Sequence, residues 1–278
     1  MLLYQKRSAK DLLDPRSLLA VLWQNRRLLL QFSQRNIEAA HRGTALGVIW
    51  SILSPLLLFA TYAFVFGVVF RGSFGVQGET RADFVLGLFL GLSVAQFFLE
   101  TLTAAPLTIV QNPNYVKKVV FPMEILPAAA VCAALFRCVV STGLVLLAVV
   151  AFGKGLSLAA LWILPLLATT LFLSLGVAWF LAAIGVFVRD LLPFMQFASA
   201  IIMFMSAVFY PSTAIPGAFS FLHWNPLLII VESARGAVLW NQQPELGALG
   251  LTGAASLAVC GLGFAFFTAL KTAFSDVL

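Results

Sequence analysis

Long apolar runs dominate this chain, and the sparse polar residues between them set the expected architecture. Six runs are long enough to cross a bilayer: residues 46–70, 84–110, 125–152, 156–188, 191–210 and 246–270. A hydrocarbon core of about 30 Å takes roughly 20 helical residues, and only a helix satisfies its own backbone there segment by segment. The fourth run is over-long and is expected to tilt, protrude or break near Pro165. The predicted fold class is all-α: a polytopic membrane protein with six transmembrane helices, an N-terminal amphipathic interface helix and re-entrant helices before the last span.

The interface helix is expected over residues 17–35. At 100° per residue, Gln24, Arg27, Gln31, Gln34 and Arg35 share one face, and Leu18, Leu22, Leu29 and Phe32 share the other. Such a helix suits the membrane surface, or the surface of a partner protein. The re-entrant part is expected at 211–244, which is apolar but broken by Pro211, Pro216, Gly217, Pro226 and Gly236. Helical pieces fit at 218–222 and 227–239, both too short to cross. Two regions follow: a cytoplasmic N-terminal segment at 1–43 and a six-span domain at 44–278.

Composition strengthens the membrane assignment. Of 278 residues, 61% are hydrophobic and 10% charged, against about 25% charged in ordinary soluble domains. The net charge of +6 raises the question of nucleic acid, but the basic residues form no continuous surface for a duplex. Eight of the 17 precede Gly43, and counting Lys and Arg loop by loop places 12 on the side of the termini against four opposite. The termini are therefore predicted to be cytoplasmic. Cys132, Cys138 and Cys260 lie in apolar runs without metal-ligand spacing and read as small hydrophobes. No cleaved leader is expected, because the first 17 residues mix charges with leucines.

Enzymatic chemistry finds little support. Asp11 and Asp14 form a lone pair of carboxylates, and Asp14 before Pro15 reads as a helix cap. His41 and His223 are far apart, and no phosphate-cradling glycine loop exists; Gly153-Lys154-Gly155 is a short turn. If ATP drives this protein, another subunit must bind it. Two charges fall inside spans, Glu100 and Arg137. Either alone in lipid costs at least about 2.5 kcal/mol, so they are expected to face protein, water or each other. The first span carries Phe59, Tyr62, Phe66 and Phe70 as an aromatic stripe, a spacing that suits either packing or a sliding sugar chain.

Three stretches carry a resemblance. Arg42-Gly43-Thr44-Ala45-Leu46-Gly47-Val48-Ile49-Trp50-Ser51-Ile52-Leu53-Ser54-Pro55-Leu56 enters the first span. Gln111-Asn112-Pro113-Asn114-Tyr115-Val116-Lys117-Lys118-Val119-Val120-Phe121-Pro122, followed by Glu124-Ile125-Leu126-Pro127, links the second and third. Asn225-Pro226-Leu227, with Glu232 and Arg235 downstream and Arg189-Asp190 upstream, lies in the broken region. Together they resemble the membrane subunit of ABC-2-type exporters of O-antigen, capsular polysaccharide and teichoic acid, over residues 30–278.

The resemblance implies a permease of the bacterial inner membrane that pairs with a second copy of itself and two copies of a separate ABC ATPase. No cofactor is expected on this chain, with ATP and Mg2+ on the partner subunit. It also implies a coupling helix at about 112–122, comprising Asn112, Pro113, Tyr115, Lys117, Lys118, Phe121 and Pro122. Asn112 can cap that helix and Pro113 open it. A lipid diphosphate-linked glycan is the expected substrate, its head drawn by Arg35 and Arg42, with the aromatic stripe lining the path between first and fifth spans. The alternatives are an ABC-2-type exporter of a drug or lipid, and a proton-coupled secondary carrier depending on Glu100.

Overall fold

The structure, a computed structural model, describes residues 15–39, 44, 46–117, 121–153 and 155–277. Eleven α-helices are assigned among the described residues, beginning with α1 (Pro15–Gln24) and α2 (Arg26–Ala39). The spanning region follows with α3 (Trp50–Tyr62), α4 (Arg81–Ala104), a short α5 (Pro113–Lys117), α6 (Ile125–Ala151) and α7 (Ile163–Phe187). The chain closes with α8 (Leu191–Met205), α9 (Pro226–Leu239), α10 (Leu246–Leu270) and α11 (Phe274–Val277).

The expected interface helix is two helices meeting at Asn25, whose side-chain amide donates to the Val21 carbonyl at 2.8 Å. Its two faces separate as predicted: Gln24, Arg27, Gln31, Gln34 and Arg35 are exposed, while Leu18 and Phe32 are buried. The covering surface is protein, since α2 packs along α6. Asp14, the expected cap, lies outside the described residues.

Five helical stretches have the length and apolarity to span: Trp50–Val69, Arg81–Leu107, Ile125–Ala151, Leu158–Phe187 and Leu246–Val277. The expected fifth span is different. Helix α8 has 15 residues, which reach about 22 Å at 1.5 Å per residue and fall short of about 30 Å. Its continuation, Ser206–Phe209, is non-helical and buried, as irregular backbone at membrane depth requires. Pro165 breaks nothing. It sits in the first turn of α7, where a proline costs no intrahelical bond, after a 3-10 turn at Leu158–Trp162.

Helix α4 is the centre of the bundle. Thr80 and Asp83 form a reciprocal cap at its start, and it packs against α6, α7, α8 and α9. Helices α7 and α10 share the most extensive contact, made possible by glycine. A Cβ on Gly176 would meet the Val259 carbonyl oxygen at 2.4 Å, and one on Gly263 would meet the Gly176 carbonyl oxygen at 2.0 Å. In lipid, where apolarity alone draws no two helices together, such close backbone approach supplies the packing energy. By contrast, Ser51 is the buried residue of α3 and α8 has none.

The broken region turns back on itself. Ser212–Ala214 and Gly217–Trp224 are short 3-10 pieces, and Asn225 returns to the end of α8. There its amide donates to the Met205 carbonyl (3.2 Å) and Ser206 hydroxyl (3.2 Å), while its oxygen caps α9 through the Leu227 amide (3.0 Å). A descending strap and an ascending helix joined beside the tip of α8 make a hairpin. The two ends of the bundle have different contents: one gathers α1, α2, α5 and α11, the other the 158–162 turn and the far end of α9.

Candidate functional site

At the end occupied by the termini, an aromatic joint forms between α2 and the loop joining α4 to α6. The Phe32 ring meets Tyr115 at 5.3 Å and Phe121 at 5.3 Å, and Tyr115 meets Phe121 at 4.9 Å. Edge-to-face and tilted pairs at these distances fix relative orientation as well as burying surface. Above them, the Arg35 guanidinium lies 4.5 Å from the Phe32 ring centre and donates to the Asn112 side-chain oxygen at 3.0 Å.

Asn112 therefore does something other than cap α5. Its amide nitrogen donates back to the Thr108 carbonyl at 2.9 Å, closing the preceding turn while its oxygen takes Arg35. Helix α5 does open at Pro113 and ends at Lys117. Thus Arg35, expected as a lipid-head contact, shares one joint with Asn112, Tyr115 and Phe121, and Pro122 follows it. Arg42 and Lys118 lie outside the described residues. Phe32 was seen in the sequence only as an apolar-face residue; its place three positions before Arg35 was the available signal.

Inside the bundle, Glu100 of α4 and Arg137 of α6 find each other. The guanidinium Nε donates to Glu100 Oε2 at 2.6 Å. The two side chains border a cavity between α3, α4 and α6. A second internal charge pair joins Lys271 to Glu124 at 2.5 Å, with the Trp179 indole donating to the Glu124 carbonyl at 3.0 Å. This ties the C-terminal end of α10 to the start of α6.

The aromatic stripe is engaged within the protomer. Phe59 stacks on Phe89 of α4 at 4.2 Å, while Tyr62 and Phe66 face Phe209 at 5.3 and 4.6 Å. Phe70 remains 69% exposed. Beyond Tyr62 the helix widens into a π-helical stretch, Ala63–Val69. Its wider turn keeps the +4 spaced rings in line, with Tyr62–Phe66 and Phe66–Phe70 centroids at 6.2 and 5.8 Å.

At the opposite end, Arg235 was counted from the sequence as a loop charge, but the structure buries it completely. Its Nε donates to the Gly87 carbonyl (3.0 Å), its Nη1 to the Ala207 carbonyl (2.9 Å) and its Nη2 to the Val208 carbonyl. The guanidinium also lies 4.1 Å from the Phe74 ring centre. A Cβ on Gly91 would meet Arg235 Nη2 at 2.5 Å, so α4 is notched to receive it. Ala207 has φ +50°, in the left-handed region, and Arg235 grips its carbonyl. Nearby, Glu232 accepts from the Ser212 amide at 2.8 Å and Glu79 from the Phe74 and Gly75 amides. The hairpin, the break after α8 and the α3–α4 loop thus meet on one cation.

Residues 27–239 match the family described as ABC-2 type transporter. An O-antigen export system permease protein RfbA from Klebsiella pneumoniae is 26% identical over 258 residues, covering 90% of this chain and 95% of the relative. The protein of the same name from Myxococcus xanthus is 26% identical over 258 residues, covering 92% of this chain and 96% of the relative.

Proposed function

We propose that this chain, which belongs to the ABC-2 type transporter family, is the permease subunit of an ATP-driven exporter of a cell-surface glycan. The observation that carries the reading is similarity to O-antigen export permeases over 95% and 96% of those relatives' length. The chain works without a nucleotide site of its own. Two copies pair with two copies of an ABC ATPase subunit, which binds ATP and Mg2+ and does the hydrolysis, in the bacterial inner membrane with the termini in the cytoplasm.

The geometry supports a division of labour. The joint of Phe32, Arg35, Asn112, Tyr115 and Phe121 makes α5 and α2 one rigid piece. A push on α5 from an ATPase is then delivered to α6 through the length of α2 rather than lost in a pliable loop. Lys117, the last residue of α5, and Lys118, next in the sequence, are charges that suit an acidic ATPase surface. Helices α3 and α8, the least covered of the long apolar elements, border the path between the two copies. The aromatic stripe of Phe59, Tyr62, Phe66 and Phe70 lies along it, where flat rings let a sugar chain slide. The head of a lipid diphosphate-linked glycan enters from the cytoplasmic side, near Arg35 and Arg42.

The test is reconstitution with the ATPase subunit in proteoliposomes, following lipid-linked glycan appearing at the far leaflet. Movement is expected to require both ATP and the second protein. Movement driven by a proton gradient without the ATPase would overturn the reading in favour of a secondary carrier, and movement of drugs or plain lipids with no glycan would reassign the substrate.

A further inference from the structure

The cavity beside the Glu100–Arg137 pair has a volume of about 310 Å3 and lies between α3, α4 and α6, at the lower end of the range for small-molecule sites. Its lining is of two kinds. Gln96 and Ser141 join the charged pair as hydrogen-bonding groups, while Trp50 and Phe97 present aromatic rings.

The pair itself is only half used. Arg137 commits Nε to Glu100 Oε2; among the described residues no protein group takes up its two Nη groups or Glu100 Oε1. Both side chains keep about a quarter of their surface accessible, 28% for Arg137 and 26% for Glu100. In the cavity they offer two sets of donors and one charged acceptor side by side. Groups of this kind left unmatched in a low-dielectric setting are costly.

The charge balance selects the ligand. A phosphate drawn to Arg137 meets Glu100 beside it, and an ammonium drawn to Glu100 meets Arg137, so neither ion gains net attraction. A neutral polyol fits both: one hydroxyl donates to the carboxylate, another accepts from the guanidinium, and Gln96 and Ser141 can do either. The C–H face of a ring has Trp50 or Phe97 to lie against.

We infer that this cavity is a binding site for a single uncharged sugar ring presented from the membrane. Naming that ring as part of an exported glycan rests on the exporter reading above; the chemistry of the cavity requires only an uncharged polyhydroxylated ring. The site lies on the α4–α6 side of α3, with Phe59 of the aromatic stripe among its lining residues. It would hold a membrane-proximal sugar before or during movement.

The test uses the full chain with its ATPase partner in lipid nanodiscs and three photoreactive amphiphiles of equal chain length: an alkyl β-glucoside, an alkyl phosphate and an alkyl trimethylammonium. The glucoside is expected to label peptides carrying residues 50–59, 89–100 or 134–141, with the other two at background. The double variant Glu100→Gln, Arg137→Gln is expected to lower glucoside labelling about tenfold, as for lost hydrogen bonds to charged groups. Ser54→Trp fills the cavity from α3 while leaving the pair untouched, and it decides the matter if the double variant does not fold. Equal labelling by the phosphate probe, absence of glucoside labelling, or labelling unmoved by the folded variants would overturn the inference. ATP-driven glycan movement in the same nanodiscs separates the two readings. Movement without glucoside labelling removes this site and leaves the exporter; labelling without movement keeps the sugar site and removes the exporter.

Discussion

Helices α3 and α4 are neighbours of similar apolarity, yet they occupy opposite environments. In the most apolar window of Trp50–Val69, 6% of residues are buried within the protomer, against 78% in that of Arg81–Leu107. The hydrophobic effect cannot explain this, because lipid is as welcoming as protein to leucine. What α4 has and α3 largely lacks is a set of specific attachments. Gly91 leaves a notch for Arg235 and the Gly87 carbonyl accepts from it, Glu100 pairs with Arg137, and Thr80 and Asp83 cap the start. Polar and small residues choose which apolar helix goes inside.

Substitutions on the two sides of that contrast should differ widely in cost. Arg235→Leu is expected to do the most damage, because the buried Ala207 and Val208 carbonyls lose their donor at about 1–3 kcal/mol each and the Gly87 carbonyl loses its second one. A fall in thermal stability in detergent, with greater protease access to the 206–225 region, is the readout. Wild-type stability in this variant would show that α4 is not anchored by the hairpin. Gly176→Leu tests the α7–α10 contact and should cost at least about 1–3 kcal/mol by overpacking, seen as a lower midpoint in the same melt. The α4 and α6 attachments to the charge pair predict an intermediate loss for Arg137→Gln alone, about 1–2 kcal/mol, and partial recovery when Glu100→Gln is added.

Smaller effects are expected at the joint of α2 with the α4–α6 loop and on α3. Arg35→Ala removes an exposed hydrogen bond and a ring contact, so stability should change by no more than about 1 kcal/mol. Glycan moved per ATP hydrolysed should nevertheless fall, because α2 and α5 no longer move together; an unchanged ratio would remove the joint from coupling. Leu57→Ala, on the uncovered surface of α3, should alter protomer stability by less than about 0.5 kcal/mol. A loss of self-association measured in nanodiscs by that variant would place α3 at the contact between copies.

Much of this was legible along the chain, and the failures share one cause. Five of the six expected spans and the two faces of the N-terminal helices follow from periodicity, while the cost of lone charge in lipid left Glu100 and Arg137 to face protein, water or each other, and the structure pairs them. The fifth span was read as longer than its 15 helical residues because residues 206–210 are apolar, and apolarity does not reveal backbone conformation. Arg235 looked like a loop charge because its three acceptors are carbonyls of Gly87, Ala207 and Val208, groups present in every residue. Asn112 was given the cap of the next helix, while its oxygen went to Arg35, 77 positions earlier.

The sequence by itself determined the solvent and the approximate limits of the five long apolar helices. These are properties of single segments meeting lipid or water, and composition decides them. Only the tertiary structure decided which helices are enclosed, which carbonyls a buried guanidinium holds, and that a charged pair opens onto a cavity with donors and an acceptor to spare. Those outcomes depend on backbone groups and close approaches between distant segments, and no local pattern of side chains encodes where such partners will meet.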